Sequence, residues 1–246
     1  MKRLKNYLAF AAVLFAMTGC TQQQINQAMQ AAQDALGGST QLTVEEVANG
    51  LKAALEKGAG FAASSASAQD GFWSNPQIRI PLPPEIQDVE SRLRQIGLGG
   101  QVDRFLETMN HGAEKAAVEA KPIFVDAITR MTIQDAWDIL KGEDDAATQY
   151  LQANTYRRLQ GAFQPHIKTA LEQVNATKYY TDIVNAYNRI PGVQKINPNL
   201  DSYVTGKALD GLFFLVAREE QNIRENPGAR TTELLKKVFD EANQNG

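Results

Sequence analysis

The chain has 246 residues, of which 43% are hydrophobic and 22% are charged, with a formal net charge of −3. These values are typical of a folded protein, and the dispersed, mildly acidic charge argues against nucleic-acid binding, which needs clustered Lys and Arg. One cysteine and two histidines rule out an intramolecular disulfide and a thiolate zinc site. Neither histidine has a second histidine at metal-ligand spacing, and no nucleotide-binding fingerprint is present, so we predict no metal site and no cofactor.

The N-terminus has the pattern of a bacterial lipoprotein precursor. Three basic residues lie within the first five positions, and an apolar run extends from Tyr7 to Met17. This run has the length of a signal-peptide core and is shorter than the roughly 20 apolar residues of a transmembrane helix. It ends in Thr18-Gly19-Cys20, which resembles a lipobox, the motif whose cysteine is diacylated and becomes the mature N-terminus. We predict a signal peptide over residues 1–19 and lipid attachment at Cys20; the alternatives are an ordinary signal peptide or a buried apolar helix.

Acylation of Cys20 would make the membrane the first partner of this protein. Each buried methylene contributes about 0.8 kcal/mol, so two or three acyl chains hold a protein firmly. Thr21 follows the cysteine, and in lipoproteins of Gram-negative bacteria an aspartate at that position favours the inner membrane. The resemblance therefore implies the cell envelope, at the periplasmic face of the outer membrane.

A flexible tether is predicted between the anchor and the folded body. Residues 20–41 are rich in Gln, Ala, Ser and Thr, carry Gly37-Gly38 and have only a weak apolar stripe. Residues 42–246 are predicted to form a single domain. Its apolar side chains recur with a helical spacing, which predicts an all-α fold, an irregular multi-helix bundle of about eight to ten helices.

In the first half of the domain, helix boundaries are predicted from capping residues and glycines. A helix that begins at Thr43 is expected to loosen at Gly58 and Gly60, and another is expected to stop at the cluster Gly97–Gly100. Thr132 and Asp135 predict the capped start of a short helix.

In the second half of the domain, capping residues again predict where helices begin. Asp145 is predicted to cap a helix through Leu159, with a separate helix over Phe163–Val174. Asp201 is predicted to cap a long helix whose apolar run, residues 212–217, predicts burial on all sides. Asn226-Pro227 predicts the start of a last helix.

A proline-rich segment interrupts the helices after residue 76. Ile78, Ile80 and Leu82 alternate with polar residues or proline, and three prolines within residues 81–84 exclude a helix. We predict an extended strap laid over the core; the alternative is a PxxP ligand for another domain.

Several segments of the body resemble one family. They are PLPPEIQ (81–87), KPIFVDAITRMT (121–132), GEDDAATQYL (142–151) and KALDGLFFLVAREEQNIRENPGARTTELLKKVF (207–239). With them, the chain from about Leu42 to Phe239 resembles an envelope family called domain of unknown function 4197. The resemblance implies a helical, signal-bearing protein and assigns no activity, substrate or catalytic residue.

A cluster of charged residues is the best candidate site in this sequence. It lies on the long helix and at the start of the next, and its members are Lys207, Asp210, Glu219, Glu220, Arg224 and Arg230. They could form either a ligand site in a helical cleft or a structural salt-bridge network that locks the helices together. Gly206 and Gly211 lie in the same helix and predict close packing or room for a ligand.

Other candidate chemistry is weaker. Glu143, Asp144 and Asp145 lack the spacing of a calcium loop and are better explained by capping and solvation. His111 has no G-x-S-x-G serine for a hydrolase triad. The sequence thus favours a non-enzymatic envelope module that binds a partner protein or a small amphipathic ligand. The alternatives are a cofactor-independent enzyme that uses Lys207, Asp210, Glu220 and Arg230, and a purely structural envelope component.

Overall fold

The computed structural model describes residues 43–189, 191–192, 195, 199–230 and 236, which apart from Thr43 belong to the unit Val44–Gly246. Regular structure in these residues is entirely helical, so the predicted all-α class is confirmed. The α-helices are α1 (Val44–Ser67), α2 (Gln87–Gln95), α3 (Gly99–Ala117), α4 (Ala120–Thr129), α5 (Ile133–Lys141), α6 (Ala146–Gln173), α7 (Ala176–Asn188) and α8 (Leu200–Glu225). Two single-turn 3₁₀ helices, Pro84–Ile86 and Pro227–Ala229, precede α2 and follow α8.

Some predicted features lie outside the described residues. They are the signal peptide, the lipid-attachment residue Cys20, the tether up to residue 41 and most of the helix predicted after Pro227. None of the helices in the described ranges is long and apolar enough to cross a bilayer.

The core forms where α6 and α8 pack against each other, with α3 against both of them and α1 against α8. Fully buried large side chains come from several helices and include Phe124, Phe163 and Leu209. Phe213 of α8 contacts the edge of Phe124, with ring centroids 5.9 Å apart, and stacks on Tyr156 of α6 at 6.4 Å. Each fully buried large apolar side chain contributes about 1.5–3 kcal/mol, so these helices hold the domain together.

Helix boundaries follow local capping chemistry. The capping box of Thr132 and Asp135 is confirmed at the start of α5. The stop at Gly97 is also confirmed: Gly97 has φ of +85°, and the next amide, of Leu98, donates to the carbonyl of Leu93 at 2.9 Å. This is the Schellman arrangement that glycine favours at a helix end.

Three predicted boundaries are wrong. The helix expected to loosen at Gly58 continues to Ser67, because Gly58 lets α8 approach closely: a Cβ there would lie 3.3 Å from Glu219 Cγ. The helices predicted on either side of residue 161 are one continuous helix, α6, so the structure has fewer helices here than predicted. Gly99 and Gly100 begin α3 and do not belong to the stop.

Two predictions about α8 are also wrong. Its N-cap is Asn199, whose side chain accepts from the amide of Ser202 at 3.0 Å, whereas Asp201 is buried and accepts from Thr177 Oγ1 at 3.1 Å. The apolar run is not buried all round, because Phe214 is 39% exposed.

The segment between α1 and α2 is held by two buried polar side chains of α3. Glu114 accepts backbone N–H groups of the turn that follows α1, from Phe72 and Trp73 at 3.1 Å. Asn110 accepts from the amide of Ile80 at 2.8 Å and donates to its carbonyl at 3.0 Å. Apolar side chains of the same segment, Ile78, Ile80 and Leu82, are buried. The segment is irregular and contains no strand, yet its apolar side chains are part of the core.

The two glycines of α8 are expected to respond oppositely to alanine. A Cβ at Gly211 would lie 3.0 Å from Ile78 Cβ and 3.0 Å from Phe72 Cε1, so Gly211→Ala overpacks this contact and costs about 1–3 kcal/mol. A Cβ at Gly206 meets nothing within 4 Å, so Gly206→Ala gains about 0.5–1 kcal/mol of helix propensity. Urea unfolding of both variants measures the two changes; equal signs would contradict the packing explanation for Gly211.

Candidate functional site

Glu220 of α8 caps the start of another helix. It is 8% exposed, and its carboxylate accepts from the backbone amides of Ala147 at 3.0 Å and Thr148 at 2.8 Å, the second and third residues of α6. The hydroxyl of Thr148 adds a third bond at 2.8 Å. A carboxylate at a helix N-terminus satisfies unpaired amides and interacts favourably with the helix dipole. Asp145, the predicted cap of α6, makes no side-chain capping bond.

Two arginines extend this network to other helix ends. Arg224 pairs with Glu220 at 2.8 Å and donates to the carbonyl of Ile139, near the end of α5, at 3.1 Å. Arg230 is 2% exposed and donates to the carbonyls of Ile223 and Arg224 at 3.1 and 2.7 Å, in the last turn of α8. Glu220, Arg224 and Arg230 therefore form a cluster that joins the ends of α5, α6 and α8, and we call it the capping cluster.

The capping cluster has almost no room for a ligand. The void beside Glu220 and Arg224 has a volume of about 30 Å³ and is otherwise lined by apolar side chains such as Leu51, Leu55 and Leu151. A single water needs roughly 10–15 Å³ of such space, whereas small-molecule sites span about 300–1,000 Å³. This arrangement favours the structural interpretation of the predicted charged cluster over the catalytic one.

The other predicted residues lie apart from the capping cluster. Lys207 and Asp210 form a pair at 3.1 Å, with side chains 46% and 61% exposed. They precede Glu220 by ten or more residues, roughly 15 Å along the helix. Glu219 is half-buried against α1 beside Gly58, and its carboxylate accepts from Asn222 at 3.5 Å. The six residues do not converge on one site.

A much larger cleft lies elsewhere in the domain. It has a volume of about 740 Å³ and lies between α2, the first half of α3 and the junction of α6 with α7. Its lining is mainly apolar and includes Leu82, Ile86, Leu93, Val102, Phe105 and Val174. Val89 and Leu98, also in the lining, are each 37% exposed, so the cleft presents apolar surface to solvent. Its size and composition are those of a small-molecule site.

Helix α2 forms one wall of this cleft and carries no buried residue. Arg94 joins α2 to α3 by a bond to Asp103 of α3 at 2.8 Å, and it also bonds Glu90 of its own helix at 2.9 Å. The hydrogen bonds to Asp103 and to Glu90 raise the pKa of Arg94. The lining also includes Arg104 and Glu107 of α3. Arg104 is exposed, and no carboxylate pairs with it within the described part of the chain. The cleft thus combines an apolar interior with an available cation.

Comparison with known proteins identifies a family. The family model described as protein of unknown function (DUF4197) matches residues 41–240. The chain belongs to this family. No curated protein and no solved structure shows significant similarity to it. The DUF4197 match covers the entire described domain, so the capping cluster and the cleft both lie within the family region.

Sequence patterns did not reveal the cleft of this DUF4197 protein. Its walls come from three stretches of the chain, residues 82–93, 98–108 and 174–180, and the apolar residues among them belong to ordinary apolar stripes. Asn110 and Glu114 were also missed, although a signal was present: both lie next to buried Met109 and Ala113 in the apolar stripe of α3. A polar residue on an apolar helix face needs a buried partner, and here the partner is the backbone of residues 70–80.

A tyrosine beside the cleft predicts a pH effect in the DUF4197 domain. Tyr203 donates to the carbonyls of Pro81 and Leu82 at 3.3 and 3.4 Å. Burial, with smaller contributions from negative groups such as Glu85, raises the pKa of Tyr203 to about 12. Because this pKa is raised above the ordinary value near 10, the stabilisation is complete below about pH 10 and is lost as the pH rises through 12.

We therefore expect wild-type protein to lose more stability than Tyr203→Phe between about pH 9 and about pH 11.5. Urea unfolding at the two pH values measures the difference, since the variant lacks the ionising hydroxyl. An identical loss in both proteins would contradict the assignment.

Proposed function

We propose that this DUF4197 protein is a lipid-anchored, non-enzymatic binding protein of the bacterial cell envelope. Its helical domain binds a single-chain amphiphile, with the acyl chain in the cleft between α2, α3 and the start of α7. The observation that carries this proposal is the apolar cleft of about 740 Å³.

The cleft surface suits an acyl chain. Burial of each methylene contributes about 0.8 kcal/mol, and Leu93, Val102 and Phe105 offer apolar surface from two helices for this burial. Val89 and Leu98 are partly exposed. Covering them with a ligand therefore adds to the driving force for binding.

Charge at the cleft supports an amphiphile with a negatively charged headgroup. Arg104 lines the cleft and is exposed, so its guanidinium is available for a carboxylate or phosphate. Glu90 also lines the cleft, but its charge is offset by Arg94 at 2.9 Å. Glu107 is half-buried and lies one turn from Arg104, where it would select against headgroups with a more extended negative charge.

The segment before α2 forms part of the floor of the cleft. We propose that residues 79–83 act as an extended strap that fixes the floor: Leu82 lines the cleft, and Ile80 is bonded to Asn110. The lipid anchor predicted from the sequence supports a binding site close to the membrane. Acylation at Cys20 would hold the domain beside a bilayer, which is the source of single-chain amphiphiles.

The binding experiment uses the purified full chain and a fatty acid that carries a fluorophore. Saturable one-to-one binding below the critical micelle concentration is expected, and oleate or a lysophospholipid should displace the probe. Comparison of the two competitors distinguishes a carboxylate from a phosphate headgroup. Absence of saturable binding would contradict the proposed function. Incorporation of labelled palmitate into the wild type but not into Cys20→Ser tests the anchor separately.

The enzyme alternative has less support. It needed Lys207, Asp210, Glu220 and Arg230 to converge, whereas the first two are exposed and the last two are buried in the capping cluster. The hydrogen-bonding capacity of Glu220 is used by Arg224 and the start of α6.

A further inference from the structure

Three metal-ligating side chains converge where the turn after α1 meets α3. His111 Nε2 lies 3.0 Å from Asp70 Oδ1 and 3.8 Å from Glu114 Oε2. The three ligand atoms all lie within 4.8 Å of one another. We propose that Asp70, His111 and Glu114 bind a divalent transition-metal ion, with Zn²⁺ as the best match. This inference goes beyond the proposed function and does not depend on the cleft.

The separations fit one ion. In a tetrahedral zinc site with ligand bonds of about 2.0–2.1 Å, neighbouring ligand atoms lie roughly 3.3 Å apart. The separations of 3.0 and 3.8 Å lie on either side of this value. Three protein ligands also leave a fourth position open, and the side chains of Asp70 and His111, 42% and 34% exposed, provide access from solvent.

Structural hydrogen bonds account for only part of this arrangement. Glu114 is 6% exposed and accepts from the amides of Asp70, Phe72 and Trp73 at 3.1–3.2 Å. These bonds fix the carboxylate, as outer contacts do at metal sites, and an ionised carboxylate still has room for a further ligand bond. The hydrogen bond between His111 Nε2 and Asp70 Oδ1 at 3.0 Å accounts for one imidazole contact, but not for the approach of the same nitrogen to Glu114 at 3.8 Å. A metal ion would satisfy all three groups.

The donor set indicates the class of ion. An imidazole nitrogen with two carboxylate oxygens suits zinc and its first-row neighbours, whereas calcium and magnesium prefer oxygen-only sites. Sequence patterns do not reveal this set because Asp70 is 41 residues from His111, and because no second histidine lies at metal-ligand spacing from His111. The spacing of His111 and Glu114, one helical turn apart, places both on the same face of α3.

Calorimetric titration of the full chain with Zn²⁺ tests the site. The chain carries Cys20→Ser in every case, which removes a competing thiol. We expect one ion per chain with micromolar affinity, and at least tenfold weaker binding in Asp70→Asn and in His111→Gln. Asn tolerates the left-handed φ of +59° at position 70, so Asp70→Asn is expected to keep the fold. Circular dichroism and thermal unfolding of the metal-free proteins check this point.

His166→Gln is the matched control. His166 also faces a carboxylate, Glu119 at 3.7 Å, but no second acid joins that pair within the described residues. Its zinc affinity should equal that of the parent chain. Cobalt provides a second readout, because a low-symmetry site gives visible d–d absorption that Asp70→Asn should lose. Equal zinc binding in the parent chain, Asp70→Asn and His111→Gln would overturn the proposal, as would the absence of binding below millimolar zinc.

Discussion

Glu220→Ala is expected to lower the free energy of unfolding by about 3–5 kcal/mol. The substitution leaves the guanidinium of Arg224, whose side chain is only 14% exposed, without its carboxylate and removes the acceptor of the Ala147 and Thr148 amides. For a chain of this size the melting temperature falls about 2–4 °C per kcal/mol, so a decrease of roughly 10 °C is expected. Urea and thermal unfolding measure both quantities.

Asp210→Ala is the control for this prediction. Asp210 lies on the same helix and also pairs with a basic residue, but both side chains of the pair are largely exposed. Exposed pairs contribute about 0–1 kcal/mol, so the variant should unfold close to the wild type. Similar losses in Glu220→Ala and Asp210→Ala would show that the capping cluster has no special structural role.

Thr108→Trp is expected to weaken binding of the fluorescent fatty acid at least tenfold. Thr108 is half-buried, lines the cleft and bonds back to the carbonyl of Arg104 at 2.8 Å, so an indole at this position would occupy ligand space. Thr169→Trp is the matched control: Thr169 makes the same type of bond, to Pro165 at 2.9 Å, on the exposed face of α6. Unchanged affinity in Thr108→Trp would contradict binding in the cleft.

Arg104 is tested in the same assay. Loss of one exposed charge-assisted bond is expected to weaken binding about three- to tenfold in Arg104→Ala. Arg157→Ala is the control, since Arg157 is an exposed arginine of α6 that does not line the cleft. Equal affinities of the two variants would remove the headgroup assignment while leaving the acyl-chain site in place.

The fold class was predictable because helical periodicity is a local property. The capping box at Thr132 and the stop at Gly97 depend on a few neighbouring residues, and both were correctly predicted. Predicted helix boundaries were wrong where contacts with a distant part of the chain determine how the helix begins or continues. Gly58 interrupts nothing because α8 packs against it, and the predicted cap Asp145 is replaced by Glu220, 75 residues further along the chain.

The candidate sites were predictable only in part. The sequence placed Glu220, Arg224 and Arg230 in one group because they are close along the chain. Whether such charged residues form a ligand site or a structural network depends on their burial. The void beside Glu220 and Arg224, about 30 Å³, favours the structural network. The cleft and the group of Asp70, His111 and Glu114 depend on long-range packing, which no local pattern records.

Photocrosslinking tests the binding proposal most directly. A fatty acid with a diazirine near the end of its chain is equilibrated with the full-length protein and irradiated, and the modified residues are located by mass spectrometry. The proposal predicts labels on Leu93, Val102, Phe105 or Val174, with competition by unlabelled oleate. Labels concentrated on exposed apolar residues away from the cleft, such as Phe61 and Val118, would contradict it.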